Sequence, residues 1–127
     1  MRAISLKQPW AWAIFHGKPI ENRNWGSSHR GPLLIHASMS FDKDGWLWLA
    51  GHQDLLTAPL NNSSWYPRGA LVGQVNMVGC VKAHPSPFFF GEHGFVFERP
   101  IEFSQPIPYK GKLGIFYVPD HLVPIEA

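Results

Sequence analysis

The 127-residue sequence contains one cysteine, Cys80, and no apolar run as long as a membrane-spanning helix. A single thiol forms no internal disulfide, and it leaves a cysteine-based zinc site without its other ligands. A membrane span needs roughly 18 or more apolar residues in succession, and the opening segment MRAISLKQPW has no signal-peptide apolar core. We therefore expect a soluble, cytoplasmic protein that has no membrane partner.

The sequence also has few charges and no metal-binding pattern. Its seven histidines form neither HxxxH nor HExxH, so we expect no metal ion, and no motif indicates another cofactor. The net charge is only +2, but five cations accompany Glu21 alone up to Phe41, whereas six cations accompany eight acids afterwards. This asymmetry fits an anionic partner such as nucleic acid, and on charge alone a solvated surface fits equally well.

Length and patterning predict a single domain that spans residues 1–127. The segment RAISL alternates like a strand, and KQPWAWAIFHG has a proline suited to a first helical turn and a glycine, Gly17, suited to a helix end. Ser40 is the expected N-cap of a second short helix, which Gly45 interrupts and Gly51 ends. Residues 53–69 and 84–94 are expected to form loops.

The rest of the chain is rich in strand patterns. The strongest is ALVGQVNMVGCVKA, in which apolar residues and glycines alternate with Gln74 and Asn76. The other predicted strands or extended segments are PLLIHAS, FVFERP, IEFSQPIPY and KLGIFYVP. Short strands at close spacing and glycine bends favour an α+β fold, a small and mostly antiparallel β-barrel with about two short helices on its flank.

The segment KPIENRNW, residues 18–25, gathers both charge signs beside an indole. Pro19 disfavours a helix here, and in a strand the side chains of Glu21 and Arg23 share one face. Lys18 suits a phosphate contact or, once desolvated, a base toward water, and the neighbouring acid favours its charged, phosphate-binding form. The alternative is an ion-pair cluster that braces the fold.

These residues carry a resemblance to a known family. The segment ISLKQPWAWAIFHGKPIENRNW resembles the signature of ASCH domains, the activating-signal-cointegrator homology domains. The family pattern is a helix that ends in glycine, then lysine, two residues, an acid, one residue and arginine, which here fall on Gly17, Lys18, Glu21 and Arg23. The segments RGPLLIHAS, PRGALVGQV, FVFERP and IPYKGKLGIFYV extend the resemblance over nearly the whole chain. It implies a PUA-like β-barrel with a cleft, related to folds that bind RNA or modified bases.

The resemblance leaves more than one function open. Some members of the family deacylate N4-acetylcytidine with this lysine, a threonine three residues later and a glutamate elsewhere. Here Glu21 stands at the threonine position, and the sequence does not say whether the other glutamate is Glu92, Glu98 or Glu102. In such an amidohydrolase, or in a weak ribonuclease, Lys18 and Glu21 would be the catalytic residues. A third alternative is a protein-interaction module that uses the two predicted loops.

The leading prediction is binding of nucleic acid, RNA or single strands, or of a modified nucleoside, in a cleft that contains Lys18, Glu21 and Arg23. Trp25 adjoins a polar turn and suits base stacking, whereas the tryptophans at helical positions suit packing. His36 and Ser38 end a buried strand, although a lone histidine is more often structural. The candidate binding residues are Lys7, Gln8, Trp10, Lys18, Arg23, Trp25, His36, Ser38, Lys110 and Lys112.

Overall fold

The computed structural model describes residues 1–124, and within this range a six-stranded sheet carries two α-helices. The strands are β1 (Arg2–Gln8), β2 (Ile20–Arg23), β3 (Gly31–Phe41), β4 (Ala70–Val81), β5 (His93–Pro108) and β6 (Ile115–Tyr117). The α-helices are α1 (Trp10–Ala13) and α2 (Lys43–Ala50), and short 3₁₀ helices cover Gln53–Leu55 and Asp120–Leu122.

The sheet has the order β2-β5-β4-β3-β1-β6, and every neighbouring pair is antiparallel except β1 with β3. This confirms the predicted α+β class, the mostly antiparallel sheet and the two short helices. Within residues 1–124, β2 and β6 are the two edges and no pairing joins them. The sheet is therefore not closed, and the predicted barrel is not confirmed.

Strand β4 follows the predicted alternation over part of its length. Val75 and Met77 are buried in the main core cluster, while Gln74 and Asn76 are half-buried. Leu71, predicted on the same face, packs instead in a second cluster with Leu34, because the pairing of β4 with β5 is irregular between Leu71 and Gly73. The segments FVFERP and IEFSQPIPY were expected as separate stretches, but they form one continuous strand, β5.

Two predictions about α2 are wrong. Strand β3 continues to Phe41, so the N-cap is Asp42, whose Oδ1 accepts a hydrogen bond from the Gly45 backbone N–H at 2.9 Å. Its Oδ2 accepts one from Trp10 Nε1 at 2.8 Å, and these bonds, the Trp10 bond foremost, lower the pKa of Asp42. Gly45 does not interrupt the helix: it packs under Trp10, where an added Cβ would lie 2.6 Å from the indole.

Gly17 ends the turns that follow α1 and sets the position of the next segment. Its φ is +121°, a conformation that suits glycine, and an added Cβ would lie 2.6 Å from the Leu55 carbonyl oxygen. The next residue, Lys18, donates its backbone N–H to the Ala13 carbonyl at 2.9 Å. The lysine is thereby held between α1 and the start of β2.

Candidate nucleic-acid interface

A cleft of about 870 Å³ lies where β1, β2, β3 and the segment before β6 meet. Among the described residues, four cationic side chains line it, and we call it the basic cleft after them: Lys7, Arg23, Lys110 and Lys112. The three lysines are exposed. Within residues 1–124, Glu21 is the one acid that lines the cleft.

Glu21 is already paired with two cations. Its Oε1 lies 2.8 Å from Lys18 Nζ, and its Oε2 lies 3.2 Å from Arg23 Nη2. The Lys18 side chain is only 3% exposed, and its ammonium lies 5.1 Å from the centre of a Trp10 ring. Glu21 therefore joins a buried cation to a partly exposed one, and its negative charge is offset within the protein.

Arg23 keeps hydrogen-bonding capacity beside the basic cleft. Its Nη2 donates to the Ser5 carbonyl at 2.9 Å and contacts Glu21, while its side chain is 25% exposed. Its Nε is buried and has no hydrogen-bond partner among the described residues. A buried donor without a partner is uncommon in folded proteins. An acceptor in the cleft can reach the exposed part of the guanidinium and not this buried Nε.

His36 holds the cleft together, and its burial argues against a direct contact with a ligand. Its Nδ1 lies 2.8 Å from Ser5 Oγ, and its Nε2 lies 2.6 Å from the Tyr109 carbonyl oxygen. Burial lowers the pKa of His36, and the bond to the Tyr109 carbonyl opposes this shift less strongly. In the neutral ring, Nε2–H donates to Tyr109 and Nδ1 accepts from Ser5, so neither nitrogen is free.

A second cavity, of about 430 Å³, adjoins the basic cleft through Trp10 and Glu21. We call it the aromatic cavity, and it is lined by Trp10, Lys18, Glu21, Asn22, Trp48, Phe88 and Phe90. Asn22 fixes one wall, because its Nδ2 donates to the Phe88 carbonyl at 2.8 Å and its Oδ1 accepts from the Phe90 N–H at 3.0 Å. The Trp48 ring stacks on His52 with centroids 4.0 Å apart.

The structure separates the predicted binding residues into groups. Those that line the basic cleft are Lys7, Trp10, Arg23, His36, Ser38, Lys110 and Lys112, and Lys18 lines the aromatic cavity instead. Gln8 is buried, where it donates to the Pro67 carbonyl and accepts from the Trp12 N–H, both at 2.9 Å. It braces the fold and does not face the cleft.

Trp25 does not line either cavity. It is partly buried against the core and meets Phe95 edge to face with centroids 5.2 Å apart. Its predicted stacking on a base stays a prediction that this packing does not favour. Trp48, expected to pack in the core, lines the aromatic cavity. Leu113 and Phe90 also line the cavities, and the sequence does not predict this because neither belongs to a charged or polar pattern.

The glutamate sought for an amidohydrolase does not lie beside Lys18. Glu92 and Glu98 are exposed and line neither cavity. Glu102 lines neither as well, and its carboxylate lies 3.1 Å from His16 Nε2. Within residues 1–124, no three His, Cys, Asp or Glu side chains are grouped as metal ligands, and no helix has the length and apolarity to span a membrane.

Comparison with known proteins gives the same family that the sequence motifs resemble. The sequence model of the ASCH domain matches residues 4–118. The chain is 29% identical over 119 residues to mouse activating signal cointegrator 1 and 27% identical over 124 residues to the human protein of that name. Each match covers 85% of this chain and 20% of the relative, so the chain spans about a fifth of the length of these curated relatives.

Proposed function

Because the chain belongs to the ASCH domain family, we propose that it binds nucleic acid, RNA or single strands in preference to duplex, in the basic cleft. One observation carries this proposal. Four cationic side chains line the basic cleft, and within residues 1–124 the one acid there, Glu21, is already paired with Lys18 and Arg23. The cleft therefore presents net positive charge to a phosphate backbone.

The contacts divide by exposure. The exposed ammonium groups of Lys7, Lys110 and Lys112 bind phosphates, and the planar guanidinium of Arg23 binds a phosphate or a base edge. Trp10 is half-buried and lines both cavities, so the part of its indole in the basic cleft can contact a base, a role that its position supports better than the packing of Trp25 does.

Lys18 has a different role in this proposal from the one predicted. It is buried and paired, so it positions Glu21 and Trp10 and does not contact phosphate itself.

The test is the salt dependence of binding, measured by fluorescence anisotropy with a labelled single-stranded RNA. The double variant Lys110→Ala/Lys112→Ala removes two phosphate contacts, so the slope of log K against log salt should become shallower by about 1.4 for a single strand. The matched control is Lys43→Ala/Lys82→Ala, which removes the same charge from exposed positions outside both cavities. Absence of binding, or equal slopes for the two double variants, would contradict the proposal.

A hydrolase of the same fold is the second candidate, and the aromatic cavity is the observation that favours it. The Lys18–Glu21 pair forms part of its wall, and about 430 Å³ is within the range of small-ligand pockets. In this reading Glu21 polarises water or the amide of an acylated cytosine nucleoside, and Lys18 is the base. Incubation with N4-acetylcytidine should then release cytidine, and Glu21→Gln should abolish the release. The ribonuclease and protein-interaction readings stay predictions.

A further inference from the structure

The loop between β5 and β6 carries a leucine that no other residue within 1–124 covers. Leu113 is 100% exposed, lies between Lys112 and Gly114, and lines the basic cleft. Single exposed leucines are common on protein surfaces. Leu113 differs in its position, because it lines the same basic cleft as Lys110, Lys112 and Met39, a second apolar side chain that is 73% exposed. We call residues 110–114 the tip loop.

The root of the tip loop is held firmly. The residue before it, Tyr109, donates its N–H to the Gly69 carbonyl at 3.0 Å and accepts from His36 through its own carbonyl. Gly111 lies against the His36 ring and the Ser5 hydroxyl, where an added Cβ would be 2.7 Å and 3.1 Å away respectively. The root therefore cannot shift far without disturbing the buried histidine.

The far end of the tip loop stands free. Gly114 has a φ of +67°, and no atom lies within 4 Å of an added Cβ at that position. Strand β6 begins at the next residue, Ile115. The tip loop therefore combines a fixed root, two lysines before Leu113 and an exposed apolar side chain at the edge of the cleft.

Resting on the proposed function, we infer that Leu113 is an apolar wedge that inserts between two neighbouring bases of the bound strand. Lys110 and Lys112 hold phosphates beside it, and an anionic chain held there offers its bases as the apolar surface nearest to the leucine. Leucine side chains are among the apolar wedges that proteins insert between base steps of duplex DNA, where they interrupt stacking, and we propose the same contact with neighbouring bases of a single strand. Met39, the other exposed apolar side chain of the cleft, gives the displaced base an apolar contact.

The experiment uses a single-stranded RNA that contains 2-aminopurine, whose fluorescence rises when the base loses its stacking. Wild-type protein should raise the fluorescence on binding. Leu113→Ala should lose most of that rise and bind about five- to tenfold more weakly, because it removes a leucine side chain that would become buried against the bases on binding. Its salt slope should match that of the wild type, since no charge changes. The variant is not expected to disturb folding, because the side chain is fully exposed.

The matched control is Leu47→Ala, which removes a leucine that is 52% exposed on α2 and lines neither cavity. It should behave as the wild type, and Leu113→Met should restore most of the signal. If the wild type binds but Leu113→Ala matches Leu47→Ala in fluorescence and affinity, the wedge is wrong. A shallower salt slope in Leu113→Ala would also overturn it, because the lysines would then be the cause. If the wild type does not bind RNA at all, the proposed function fails and the wedge fails with it.

Discussion

The basic cleft and the aromatic cavity share Trp10 and Glu21, but they differ in whether their cationic side chains are exposed or buried. In the basic cleft the lysines are exposed, so water solvates them and a ligand can replace that water. In the aromatic cavity the ammonium of Lys18 is buried and neutralised by a carboxylate. The first arrangement suits binding of a polyanion. In the second, removing one member of the buried ion pair lowers the stability of the fold.

One short segment supplies both regions. KPIENRNW places Lys18 inside, Arg23 at the edge of the cleft and Glu21 between them, with contacts of 2.8 Å and 3.2 Å. Ion-pair bracing and the proposed binding are therefore not alternatives, because one segment supports both. Bracing applies to the buried half of the segment, and binding is proposed for the exposed half.

The largest expected effect comes from Glu21→Ala, which removes the side chain that the two regions share. Lys18 would keep a buried charge without its partner, and breaking a buried pair in this way costs about 3 to 5 kcal/mol of unfolding free energy. Denaturant unfolding measures this loss. The matched control is Glu98→Ala, an exposed glutamate outside both cavities, which should change stability by less than about 0.5 kcal/mol. A mild effect at Glu21 would mean that Lys18 is readily hydrated.

A smaller effect is expected from Asn22→Ala, which acts on the aromatic cavity alone. The change removes the hydrogen bonds to the Phe88 carbonyl and to the exposed Phe90 N–H, each worth about 0.5 to 1.5 kcal/mol net. Stability should fall while the salt slope of RNA binding stays unchanged, because no cation of the basic cleft is touched. Asn24→Ala, at an exposed position two residues away, serves as the control. A changed salt slope would show that the two regions are not separable.

The smallest of these effects is the pH dependence contributed by His36 beneath the basic cleft. Burial lowers its pKa in the folded state, so below the ordinary value of about 6.5 the unfolded chain binds more protons. Its contribution to stability is therefore complete above pH 6.5 and is lost as the pH falls from there toward the lower folded pKa. The loss is limited, because the protonated ring still donates to Tyr109. Thermal unfolding between pH 5 and 7.5 measures it, and His36→Gln should flatten the profile. A wild-type profile as flat as that of the variant would argue against it.

Much of the sheet could be predicted because a strand with one buried face has apolar and polar residues in alternation. In β4 the buried Val75 and Met77 alternate with Gln74 and Asn76, as the pattern requires, but the irregular pairing after Leu71 moves that residue to a different cluster. The end of β3 was less predictable, because Ser40 and Asp42 are both good N-caps and only the pairing of Phe41 with Gln8 extends the strand past Ser40. Local sequence does not contain that long-range pairing.

The candidate site divides in the same way. Lys18, Glu21 and Arg23 are near one another in sequence, so their grouping was predictable, but the burial of Lys18 depends on Trp10 and could not be read from its neighbours. Trp48 at helical spacing indicates packing, and only its position against Phe88 and Phe90 makes it a cavity wall. The sequence around Leu113 does not predict its exposed place in the cleft, because one leucine after a lysine and a glycine fits the start of a strand as well as a loop.

The place of β6 in the sheet makes the basic cleft depend on a pairing between two distant parts of the chain. Strand β1 occupies an inner position, but its outer neighbour, β6, lies more than 100 residues later, with Tyr117 paired to Arg2. If β6 detached from β1, the preceding segment, residues 109–114, would lose the anchor that holds it at the cleft. A ligand that contacts this segment would therefore stabilise the pairing of the two strands by mass action.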